Sequence, residues 1–77
     1  GLIANQLFYL KRKICRNRNN SNNLLKIFKR ELVQKFNIKI EYLECRNLID
    51  LSNNLYNKPF KLFAAYYLNN VRLVDNF

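Results

Sequence analysis

The chain predicts a two-layer α+β domain, in the order ααβββ, with a helical hairpin packed on a three-stranded antiparallel sheet. Three observations carry this. Two stretches with apolar residues at helical spacing flank a polar break; the period drops from 3.6 to 2 at Asn37; an aromatic run then leads through Asn69-Asn70 into a last alternating stretch. With 77 residues the chain is one small domain, residues 1–77, too short for a second.

In residues 2–16, Ile3, Leu7, Leu10 and Ile14 fall on one helical stripe. Lys11, Arg12, Lys13, Arg16 and Arg18 crowd the last turns and exit, where cations complement the negative end of the helix dipole. An anion-binding patch and an amphipathic membrane helix are the competing readings, the latter weakened by the absence of tryptophan. Asn17 to Asn23 reads as a polar linker that buries nothing, with Ser21 or a neighbouring asparagine capping the next helix. That helix carries Leu24, Leu25, Phe28, Leu32 and Phe36 on one face, and Glu31 and Lys35 are spaced for an i,i+4 ion pair. A short loop between two such helices predicts an antiparallel pair.

From Ile38 to Tyr42 apolar and polar residues alternate strictly, predicting a half-buried strand. The alternation slips at Leu43 and Cys45, which a bulge or a locally two-sided strand would explain. Asn47 to Lys58 is turn-rich, and Leu48, Ile49 and Leu51 are expected to tuck a short helical turn against the core. Pro59 precedes Phe60 to Leu68, an apolar run read as the central strand, contacted on both faces. Asn69-Asn70 suits a two-residue hairpin, because asparagine visits the left-handed region readily, and Val71 to Asp75 returns as the third strand.

Composition limits what the domain can do. With 49% hydrophobic and 14% aromatic residues the chain can build a core. A chain of this size buries only about 60% of its unfolded surface, so modest stability is expected. Histidine is absent, glycine occurs once and the acidic residues number five. That excludes a Ser-His-Asp or Cys-His device, a two-His metal site and a glycine-rich phosphate loop, and argues against a complete enzyme. The lack of methionine points to a processed chain or a piece of a longer one, with Gly1 a tag scar or a mid-chain residue.

The net charge of +9 suggests an anionic partner such as nucleic acid. Against that, Asn, Lys, Ile, Phe and Tyr supply 39 of the 77 residues. All five use A- and T-rich codons, so base composition alone can inflate the charge, and nucleic acid is the less favoured partner. Cys15 and Cys45 have no CxxC spacing and read as buried free thiols, with a single disulfide as the alternative. No signal peptide, bilayer-length apolar run or myristoylation pattern is found, so a cytoplasmic domain without a membrane partner is expected.

No constellation assembles an active site. Glu41 and Glu44, three apart on a strand, are expected on opposite faces, and Asp50 and Asp75 in a turn and near the end. Lys61 to Tyr67 faintly echoes the aromatic strand of an RNA-recognition fold, but the glycines and the βαββαβ order are missing. Arg72 with Asp75-Asn76 either grips a ligand or pairs and caps the hairpin.

Taken together, Ile40-Glu41-Tyr42-Leu43-Glu44 and Arg72-Leu73-Val74-Asp75-Asn76 resemble the C-terminal domain of pantothenate synthetase, the pantoate–β-alanine ligase family. That family shows a Tyr-Val-Glu-like strand, an Ala-Ala-bearing hydrophobic strand and a terminal Arg-Leu-Ile-Asp-Asn. Ala64-Ala65 and Asn69-Asn70 fall at the second strand and hairpin, Ile3-Ala4 opens the first helix and Phe36-Asn37 ends the second, so the likeness spans residues 2–76. Val74 stands for the usual isoleucine, asparagine replaces a common hairpin glycine, and the first helix is more basic than usual.

The resemblance implies a lid. The family enzyme joins pantoate to β-alanine with ATP and magnesium through a pantoyl-adenylate. Its histidine-containing phosphate motif and its Ser-Ser-Arg-Asn loop both precede the segment matching Leu2. No catalytic, cofactor-binding or metal residue is therefore carried onto this chain, whose partner would be the N-terminal nucleotide-binding domain of the same enzyme. The ligands ATP, pantoate and β-alanine would belong to that parent protein, with the C-terminal domain closing over the adenylate.

Overall fold

Ile3, Leu7, Leu10 and Ile14 all lie buried along one side of helix α1 (Leu2–Arg16) in the computed structural model, which describes residues 1–77. Leu7, Leu10 and Ile14 are at most 1% exposed, and burial of each contributes about 1.5–3 kcal/mol. A 3₁₀ turn (Arg18–Asn20) connects to α2 (Ser21–Phe36), whose buried apolar residues are Leu24, Phe28 and Leu32. Leu25 and Phe36, expected on the same face, are half-buried at its rim.

The start of α2 departs from expectation. Ser21 has helical backbone angles and is itself buried, so it cannot serve as a cap, which requires a non-helical residue. The N-cap is Asn20, and it makes no side-chain cap bond. The segment read as a linker is thus a tight turn plus the first helical turn. Nor do Glu31 and Lys35 pair: the three ion pairs lie elsewhere, and Lys35 Nζ sits 5.4 Å from the ring centre of Phe36. Helix α2 ends where Asn37 turns left-handed (φ 52°) and its N–H donates to the Val33 carbonyl at 3.0 Å.

Strands β1 (Lys39–Asn47), β2 (Phe60–Leu68) and β3 (Val71–Asn76) form an antiparallel sheet of order β1-β2-β3, with β2 central. The architecture is therefore ααβββ, a helical layer on one face of a three-stranded antiparallel sheet. The slip in β1 is a bulge: Ile40 faces Tyr66 and Tyr42 faces Ala65, leaving Glu41 extra. Asn69 and Asn70 both adopt positive φ (51° and 66°), the two-residue turn that matches strand twist. Four of the five left-handed residues are asparagine, filling positions where glycine is the default. Leu51 (φ 63°) is the exception.

The inner sheet face carries Cys45, Phe60, Leu62, Ala64 and Tyr66 into one core with the buried stripes of both helices. Residues alternate, so Lys61, Phe63, Ala65 and Tyr67 of β2 point outward. Central β2 is contacted on both faces: on the outer one Ala65 is fully buried and Phe63 and Tyr67 are half-buried.

Loop residues 48–59 do not behave as predicted. Leu48, Ile49 and Leu51 are exposed by 45%, 71% and 64%, and Leu55 is the residue that enters the core. The cause is polar. Asn47, fully buried, accepts from the Ile49 and Asp50 N–H groups at 3.0 and 2.9 Å. Its amide donates to Ser52 Oγ at 3.0 Å and to the Asn54 carbonyl at 2.7 Å. A turn wound on that side chain holds the three apolar residues outward.

Candidate functional site

Two surfaces concentrate chemistry: the outer sheet face and the outer side of the helical layer. On the sheet, the bulge rotates Glu41 to the outer face, the same side as Glu44, contrary to the expectation that they oppose. Because Glu41 is itself the extra residue, it shares the outer face with Tyr42 and so with Glu44, two positions further on. Glu41 accepts a two-pronged interaction from Arg72, at 3.1 Å from Nε and 2.9 Å from the terminal nitrogen. The Tyr67 hydroxyl donates to the same carboxylate at 3.2 Å. The Arg72 bonds chiefly hold the Glu41 carboxyl below its ordinary pKa.

Arg72 and Asp75 do not meet, because three positions along a strand separate their faces. Arg72 points outward to Glu41, whereas Asp75 accepts from the inward Tyr66 hydroxyl at 3.1 Å. Neither sequence reading of that pair, a joint ligand grip or a mutual hairpin cap, describes it. Glu44 is engaged by Arg46 at 2.8 Å. Asp50 caps its own turn by accepting from the Ser52 N–H at 2.9 Å, which chiefly draws its pKa down to about 2. Each carboxylate of the sheet layer is thus engaged by a nearby donor.

Both cysteines are free thiols. Only Cys45 is buried, and desolvation pushes its pKa up to about 12, which makes it inert at neutral pH. Cys15, expected to be buried, is exposed at the end of α1 because it lies off the stripe set by Leu7, Leu10 and Ile14.

In sequence Arg18 is only one of a basic cluster, yet in the fold it staples the layers together. Its guanidinium donates to the carbonyls of Leu55 and Lys58 at 2.9 and 2.6 Å and lies 5.0 Å from the ring centre of Phe60. This geometry was not readable locally, since its partners are 37 and 40 residues away. Asn47 was also missed. Its available signal was an amide at the end of a strand, with Asp and Ser in the turn that follows, the pattern of an Asx turn.

The remaining cations divide unevenly. Residues 1–37 hold nine of the fourteen lysines and arginines but only one carboxylate, Glu31; residues 38–77 hold five cations and four carboxylates. All three ion pairs lie within residues 38–77. Lysines 11 and 13 lie over the rings of Phe60 and Phe28 at 5.6 and 5.7 Å. Lys26, Lys29 and Arg30 line an open trough of about 430 Å³ with Val33 and Gln34 along the outward strip of α2.

No group of three His, Cys, Asp or Glu residues gathers where it could hold a metal ion, and no helix is long and apolar enough to cross a membrane. Compared with protein-family models, curated proteins and solved structures, the chain gives no match.

Proposed function

We propose that this chain is the C-terminal lid domain of a pantoate–β-alanine ligase, which makes pantothenate from pantoate, β-alanine and ATP through a pantoyl-adenylate. The observation that carries the reading is a spatial convergence. The two stretches that bear the resemblance, Ile40–Glu44 and Arg72–Asn76, are strands β1 and β3, joined across β2 by the Glu41–Arg72 pair and the Tyr67 hydroxyl. Motif residues 31 positions apart thus form one unit on the outer sheet face.

In this reading the domain supplies no reacting group. ATP, magnesium and both substrates are held by the N-terminal nucleotide-binding domain, and this chain closes over them to keep water from the adenylate. The test is the full-length protein from the parent gene. It should form AMP only when both pantoate and β-alanine are present, and its sequence before Gly1 should contain a Ser-Ser-Arg-Asn loop. The isolated 77-residue chain should be inactive. Pantothenate formation by the isolated chain, or an unrelated domain upstream, would sink the proposal.

A further inference from the structure

We propose that the outer side of the helical layer binds the phosphodiester backbone of a nucleic acid, independently of the ligase reading. Base composition would spread charge along the chain, and the spread is not what is seen. Asparagine, inflated by the same codons, divides evenly, with seven residues in 1–37 and seven in 38–77. Net charge does not: it is +8 in the helical half and +1 in the sheet half.

Helix-dipole complementation accounts only for the last turns, where Lys13, Arg16 and Lys35 sit. It leaves Lys26, Lys29 and Arg30 in the middle of α2. Lys26 with Arg30, and Arg12 with Arg16, are like-charge i,i+4 pairs, which destabilise a helix in isolation. None of the four makes an ion pair with a carboxylate; Lys26 borders a shallow groove with Glu44, but Arg46 already engages that carboxylate. A row of phosphates lying along the strip would relieve that repulsion and release counterions. Exposed Asn19, Asn22 and Asn23 at the connection between the helices, with Gln34 at the far end of the strip, add neutral groups that can bond phosphate or sugar oxygens.

A lipid surface fits less well, because the apolar stripes of α1 and α2 are spent on the core and the α2 strip itself exposes only Ile27 and Val33, each partly covered. The experiment is fluorescence anisotropy of labelled single-stranded and duplex oligonucleotides of about 20 nucleotides, titrated between about 50 and 200 mM salt. Two variants remove equal charge from exposed positions, K26Q/K29Q on the helical layer and K39Q/K61Q on the sheet, and circular dichroism checks that both remain folded. The expected result is salt-dependent binding of at least one oligonucleotide, with K26Q/K29Q lowering the salt slope by about 2 and weakening binding roughly tenfold. K39Q/K61Q should change affinity by less than about threefold. Equal weakening by both variants would reduce the effect to net charge and overturn the proposal. So would no binding near 0.1 M salt, or capture by phosphatidylserine vesicles without oligonucleotide binding.

Discussion

In the helical layer stability comes from apolar stripes, and the polar side chains are left to solvent or laid over aromatic rings. In the sheet layer and its loop, the carboxylates and the Asn47 amide are tied to named partners within the same region. The two layers therefore fail differently when residues are removed. Exposed cations of the helices should be replaceable with little loss of stability, as surface charges generally are. In the sheet layer, a single deletion strands several backbone groups at once, because one amide serves them all. Arg18 is the exception that joins the two regimes, a helical-layer cation whose donors are spent on loop carbonyls.

The largest effect should come from Asn47→Ala. The change strands the Ile49 and Asp50 N–H groups and the acceptors on Ser52 and Asn54, for about 3 kcal/mol in urea unfolding. Asn53→Ala, at an exposed loop position, should stay within about 0.5 kcal/mol. Equal losses from the two would remove the distinction drawn between hub and surface. Next is Arg18→Ala, which should cost about 2 kcal/mol by freeing the loop carbonyls and uncovering Phe60. Arg18→Lys should recover less than half, because an ammonium cannot both bridge two carbonyls and stack flat on a ring. Full recovery would mean that charge alone matters there.

A smaller change runs the other way. Leu51 holds a left-handed backbone (φ 63°) with its side chain exposed, so Leu51→Gly should relieve strain and raise stability by about 1 kcal/mol. In a domain of this size that is a rise of about 4–8 °C in Tm; a fall in thermal scanning would contradict it. The gentlest probe is acid. Asp50 and Glu41 have depressed pKa values in the fold, so their contributions are present above the ordinary carboxylate range and are lost as protons bind. For Asp50 the loss should run from its ordinary 3.8 down to about 2. Urea midpoints should therefore decline through that window, and Asp50→Asn should flatten the decline; an unchanged slope would disprove its part.

Much of the fold was legible because periodicity reports burial directly. Ile3, Leu7, Leu10 and Ile14 could bury together only on a helix, and Ile38 to Tyr42 alternate only on a strand. The broken alternation at Leu43 and Cys45 signals a bulge, but the extra residue is Glu41, inside the stretch that reads as strictly alternating, and it turns Tyr42 to the outer face. The loop could not be read. Hydrophobicity favoured burying Leu48, Ile49 and Leu51, and one buried amide decided otherwise, because unmade polar bonds in the interior cost as much as an exposed leucine.

What the amino-acid order determined by itself was the element sequence, the Asn69-Asn70 turn, the core stripes and the overall charge. Those depend on neighbours within a few residues, where periodicity and backbone preference act. Tertiary structure alone decided which charges pair. Glu41 finds Arg72 across β2, Arg18 finds carbonyls 37 and 40 residues away, and the cations of both helices are left with no carboxylate paired to them. Electrostatic partnership depends on distance in space, and only the packed chain sets that distance.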